Sequence, residues 1–143
     1  MEVPDRPAAG AYSHIIHVPT RSEDINQALH VSAVSLGAIL ENGRVSLLRD
    51  AFGYTMSDRS NTAVLARNET DFLKEVYHPA ALIVATGIGH VGRTSFTFDQ
   101  ALFNEGVCVC RSRSVYVNLS EDGPSPFDDA RREALAGYTM PRP

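Results

Sequence analysis

The sequence predicts an α+β domain in which one long helix lies against an antiparallel sheet. Three observations carry that expectation. Residues from His30 onward lose their charges and take up helical spacing, the second half of the chain alternates β-branched and aromatic residues, and turn residues cut that half into four segments. At 143 residues, 43% hydrophobic and 21% charged, the chain has the size and composition of a single domain, residues 1–143, able to bury a core.

The elements follow in order. Residues 1–11 read as a mobile leader, and Tyr12 to Val18 (YSHIIHV) as a strand stopped by Pro19. His14 and His17 fall on opposite faces of such a strand, so a two-histidine site is not expected, and no metal is. From His30, the residues Val31, Val34, Ala38, Val45 and Leu48 follow i, i+3, i+4 spacing, with Ala33, Leu36, Ile39, Leu40 and Leu47 on the flanks. The pattern predicts a buried helix of about 18 residues, roughly 27 Å long, with polar side chains entering only from Glu41. Gly37 and Gly43 each cost such a helix about 1 kcal/mol, so each is expected where something approaches the backbone closely. Val64–Leu73, Ala81–Thr86, Thr94–Phe103 and Val107–Leu119 then read as a meander of four strands, and residues 126–136 as a terminal segment whose Phe127 to Ala136 forms a short amphipathic helix.

Composition narrows the function. A net charge of -4 and the lack of a Lys/Arg block argue against nucleic acid, whose binding rests on clustered cations. MEVPDRPAAG has no apolar core and no run approaches the roughly 20 residues that cross a bilayer, so a cytoplasmic protein without membrane attachment is expected, with a small molecule or protein as partner. Cys108 and Cys110 sit two apart on a strand, on one face but poorly placed to bridge each other, and read as small reduced hydrophobes. GIGHVG, Gly87 to Gly92, satisfies G-x-G-x-x-G, but RTSFTFDQ after it alternates like a strand where a dinucleotide site needs a helix. It reads instead as a glycine-rich hairpin connection.

DINQALHVS before the helix, ENGR within it, GHVGRTSFTFDQALF, and GVCVCRSRSVYVNLSEDGPSPFDDARREAL at the end together resemble the hotdog-fold acyl-CoA thioesterases of the 4-hydroxybenzoyl-CoA thioesterase type. The likeness covers roughly Tyr12 to Leu135, and His30, Val31, Glu41 and Arg44 match in register. It implies a hotdog fold, with a long central helix wrapped by a curled antiparallel β-sheet, and hydrolysis of an acyl-CoA. No cofactor is implied beyond the coenzyme A of the substrate. Related proteins place their sites at a subunit interface, which implies a homodimer or a dimer of dimers (a homotetramer).

Two departures bear on chemistry. Asn26 stands where the family often has a catalytic aspartate, and Leu29 where it has glycine. An amide is neither nucleophile nor base, whereas thioester hydrolysis needs a carboxylate plus donors for the developing oxyanion. Asn26 can orient a water or donate to the carbonyl, and N–H groups near His30 and Val31 can form the oxyanion site. Asp24 and Glu41 are the candidate acids. Asp24 is either catalytic or a loop acid bonded to nearby backbone. Glu41, eleven residues after His30, returns to its helix face but about 16 Å away, so it serves a partner's site or pairs with Arg44 at i, i+3. His30 is either a donor at the helix start or a capping residue. Val31 and Gly37 are candidates for lining the acyl site, and Arg93 and Thr94 for meeting the phosphates of coenzyme A.

Two other readings stand beside this one. Asp24, Asn26 and His30 give D-x-N-x-x-x-H, similar to the D-x-N-P-x-H motif of hotdog (R)-specific enoyl-CoA hydratases but with one extra residue and no proline. A non-catalytic acyl-binding hotdog protein is the third, supported by Asn26 in place of the acid.

Overall fold

The computed structural model describes residues 9–53 and 61–141. After a 3-10 turn at Ala9–Ala11, strand β1 spans His14–Pro19 and helix α1 spans Ala33–Phe52. Strands β2 (Asn61–Phe72), β3 (Ala81–Val91), β4 (Ser95–Asn104), β5 (Val107–Ser120) and the short β6 (Gly123–Pro124) follow, and helix α2 (Asp129–Ala136) ends the order. All pairings are antiparallel, in the order β1-β3-β4-β5-β2 with β6 on the end of β5. The curled sheet around one long helix is the hotdog architecture.

Two expectations change. β3, β4 and β5 form a meander, but β2 crosses to the far edge and pairs with β5, so the four strands are not one continuous meander. The stretch Gly87–Val91 continues β3, and the turn to β4 lies at Gly92–Thr94. Register shifts at Leu65/Arg67 and Ile88/Val91 insert extra residues that bend the strands, which lets the sheet wrap the helix.

Helix α1 begins three residues later than its apolar pattern suggests. Ser32 is the N-cap, its hydroxyl accepting from the Ser35 N–H at 3.1 Å, and Gly53 closes the other end in the left-handed conformation at φ 59°. The buried face is Leu36, Ile39, Leu40, Gly43, Arg44, Leu47 and Leu48, the i, i+3, i+4 set one step round from the expected stripe. Val34, 84% exposed, and Val45 face outward instead. The first half is apolar nearly all round, so periodicity alone could not choose its inner face.

Gly43 meets the close approach its residue type suggests. An added Cβ would lie 2.5 Å from Val84 Cγ1 and 2.7 Å from Thr86 Oγ1. Gly37 has nothing within 4 Å of that position, so its expected close approach is not found within this chain.

Two apolar clusters sit along the helix, one at its start around Leu36, Leu40, Leu82 and Leu102, the other at its end around Leu47, Phe96, Phe98 and Leu135. Between them lies a buried polar knot. The Arg44 guanidinium, 2% exposed, donates to Gln100 Oε1 at 3.0 Å and to the Tyr116 hydroxyl at 2.9 Å, and Gln100 Nε2 donates to the Leu40 carbonyl and Thr86 Oγ1. The expected entry of polar groups from Glu41 onward thus places Arg44 inside the core. Buried polar groups of this kind are tolerated because each finds a partner.

Of the expected leader, residues 1–8 lie outside the described residues, while Ala9 packs on the cluster of Tyr12, Ala85, Ala101 and Phe103. The tail pairs with β3 beyond the start of β1, with the Met140 N–H donating to the Ile88 carbonyl, and the Ser13 hydroxyl donates to the Tyr138 carbonyl. No helix among the described residues is long and apolar enough to cross a membrane.

Candidate active site

The residues just before α1 form a tight turn built on Asn26. Its Oδ1 accepts from the backbone N–H of Ala28 at 3.0 Å and of His30 at 3.2 Å, and its own N–H donates to the His30 carbonyl. Both bonds use the acceptor end of the amide, so Asn26 has only its Nδ2 hydrogens to offer a substrate. Closing the turn puts Leu29 at φ 64°, the left-handed region where glycine is at ease, and Leu29 stands where the resembled thioesterases carry glycine. The turn then passes through His30 and Val31, each bridged to an extended segment, before Ser32 caps the helix.

That local path revises the expected oxyanion donors. The His30 N–H goes to Asn26 and the Val31 N–H to the Val76 carbonyl at 2.7 Å, so neither is free. The N–H groups that the helix leaves without an intrahelical acceptor, and that Ser32 does not cap, are those of Ala33 and Val34. Since His30 lies outside the helix, it does not share a helical stripe with Glu41.

The loop between β2 and β3 completes the site. Leu73 and Lys74 donate to the Val109 carbonyl, and Val76 is buried and bonded to Val31, so Glu75 between them is fixed on both sides. Glu75 Oε2 lies 3.4 Å from His30 Nε2 and accepts from the Tyr77 hydroxyl at 3.0 Å. The Tyr77 ring stands edge-on to the imidazole with centroids 4.6 Å apart. Its hydrogen bond to Glu75, with the carboxylate charge beside it, pushes the Tyr77 phenol above its ordinary value. Asn26, His30, Ala33, Phe72 and Glu75 line one groove of about 250 Å³ at the start of the helix.

The other expected residues fall elsewhere. Asp24 is buried, and its carboxylate accepts from the Arg21 backbone at 2.8 Å and pairs with the Arg21 guanidinium at 2.9 Å. The Arg21 side-chain bonds hold it below the ordinary aspartate range, so this carboxylate already serves the turn at Ser22–Asp24. Glu41 is exposed on a second groove, about 310 Å³, between α1 and β2 and floored by Tyr116. Arg44 turns inward, and among the described residues no ion pair joins it to Glu41. Val31 is buried behind His30, and Gly37 lies on the open side of α1. Arg93 and Thr94 occupy the β3–β4 turn, where their carbonyls accept from Phe127 and Asn118. That turn sits with the cluster at the end of α1, so within one chain the helix's length, about 30 Å, separates them from His30.

Glu75 was not visible in the sequence. It lies 45 positions from His30 in a segment, LKEVYHP, with neither strand alternation nor motif spacing. Only the bridge between His30 and Tyr77 brings it in.

Residues 20–135 match the thioesterase-like superfamily, and the chain belongs to it. No curated protein matches it significantly by sequence. Among solved structures, the PA5185 protein of Pseudomonas aeruginosa superposes with a TM-score of 0.86 at 22% identity, over 95% of this chain and 98% of that one. A predicted thioesterase from Bacillus stearothermophilus gives 0.83 at 25% identity, over 90% and 98%. A thioesterase of Thermus thermophilus, complexed with coenzyme A and zinc, gives 0.83 at 21% identity, over 92% and 98%.

Proposed function

We propose that the protein is an acyl-CoA thioesterase, hydrolysing the thioester to free acid and coenzyme A with the carbonyl polarised at the start of α1. The observation that carries this is the groove holding Asn26, His30 and Ala33 at a helix N-terminus whose first two N–H groups meet no acceptor among the described residues. Such a terminus carries partial positive charge and two donors, which stabilise the oxyanion that forms as water attacks. Asn26 Nδ2 adds a third donor at the rim. Superfamily membership and a structural relative that binds coenzyme A support the reading. It takes the 4-hydroxybenzoyl-CoA thioesterase type, which the sequence resembles, as its mechanistic pattern.

The working unit in this reading is a homodimer or a pair of dimers. Among the described residues β2 is an edge strand with β5 as its one neighbour, and Leu29, Val34, Phe72 and Tyr77 leave exposed apolar side chains around the groove. A second chain covering them would bring Glu41, and Arg93 and Thr94 for the phosphates, toward a site they cannot reach in their own chain.

The test is free-thiol release from a panel of short, long and aromatic acyl-CoAs. Release above background establishes hydrolysis. If enoyl-CoA is consumed without thiol, the protein is a hydratase, and binding without turnover makes it an acyl carrier.

A further inference from the structure

We infer that Glu75 is the general base of this site, taking the place left by Asn26; the inference rests on the thioesterase reading above. Four observations converge on it. Glu75 lines the same groove as Asn26, His30 and the helix-start residue Ala33. Its Oε2 is held by the Tyr77 hydroxyl at 3.0 Å and lies 3.4 Å from His30 Nε2, while among the described residues Oε1 takes no hydrogen bond. The backbone on either side is pinned, through Val109 on one flank and Val31 on the other. The side chain is 63% exposed, so it is open to water.

The other carboxylates are placed for different work. Asp24 is buried under Arg21. Glu41 sits about one turn of α1 beyond Gly37, on the other groove. Among the described residues, Glu75 is the carboxylate that lines the groove at the start of α1.

Glu75 Oε1 takes a proton from water as its oxygen bonds to the thioester carbon, and the oxyanion is held by the Ala33 and Val34 N–H groups. The intermediate then collapses, the C–S bond breaks, and the proton on Glu75 passes to the departing sulfur. Acid and thiol leave, and the carboxylate is restored. His30 and Tyr77 hold the carboxylate in place and are positioning residues.

The experiment compares wild type with Glu75→Gln, Glu75→Asp and Glu41→Gln on the best substrate of the panel. Glutamine keeps an acceptor for Tyr77, so melting is expected to be unchanged. Removal of a general base is expected to lower kcat by roughly 10²–10⁴-fold with KM little altered. The acid limb of the wild-type kcat profile should vanish in Glu75→Gln, and Glu75→Asp should recover part of the rate. Near-wild-type kcat in a folded Glu75→Gln, with the loss found instead in Glu41→Gln, overturns the inference and leaves the thioesterase intact. Absence of thiol release from the wild type on every substrate overturns both.

Discussion

The two glycines inside α1 invite the same substitution with opposite results. Alanine is favoured over glycine in a helix interior by about 1 kcal/mol, so each change starts with that gain. At Gly37 nothing lies within 4 Å of the new methyl, and the gain should stand, raising stability by up to about 1 kcal/mol. At Gly43 the methyl would be 2.5 Å from Val84 Cγ1, 2.7 Å from Thr86 Oγ1 and 2.9 Å from Gln100 Nε2, where ordinary contact begins near 3.4 Å. All three neighbours are fully buried and cannot swing aside, and Gln100 is bonded to Arg44, Leu40 and Thr86. Overpacking costs typically 1–3 kcal/mol, and distorting the Gln100 bonds about 1 more. The net is a loss of about 1–3 kcal/mol. Urea and thermal unfolding of the two variants measure it, each kcal/mol moving Tm by about 2–4 °C at this size. Equal signs for the pair would refute the argument, since they would mean that the helix approaches the sheet no more closely at Gly43 than its open side is approached at Gly37. A raised KM in the stable Gly37→Ala would in addition place the acyl group along that face.

Three further outcomes are expected. Leu29→Gly should be more stable than Leu29→Ala by about 1 kcal/mol, because alanine keeps the cost of φ 64° and both lose the same largely exposed side chain; urea melts that rank them equally would show no strain there. Asp24→Asn should cost about 1 kcal/mol at neutral pH. The Asp24 pKa is lowered on folding by Arg21, so its stabilisation is present above the ordinary value of 3.8 and lost as pH falls through the lower folded one; the gap between wild type and variant should therefore close in acid, and a gap constant to low pH would contradict the pairing. Cys110 is pushed up to about 12 by burial, with Cys108 beside it a smaller cause, so a thiolate-selective reagent should leave it unmodified until the chain unfolds, as mass spectrometry of the labelled native protein would report.

Much of the fold could be read locally. The charge-free stretch after Ser32 identifies α1, and the alternation of Thr94–Phe103 and Val107–Leu119 identifies β4 and β5, because side-chain period is written into a few consecutive residues. Asn26 and His30 could be singled out for the same reason: the turn that joins them closes within five residues.

Choices between equivalent local patterns needed the tertiary structure. An apolar helix offers several faces, and only packing against β1, β3 and β4 decided that Leu36, Ile39 and Leu40 go inward while Val34 stays out. Arg44 reads as a surface cation until Gln100 and Tyr116 meet it inside. The alternation of β2 says that it is a strand but not that β5 is its partner. Glu75 shows the limit most plainly. Its sequence neighbours carry no signal, and its nearness to His30 arises from long-range backbone bonding of Val31 to Val76, so composition and spacing determined a polar cluster before a buried helix, while the folded chain decided which carboxylate stands beside His30.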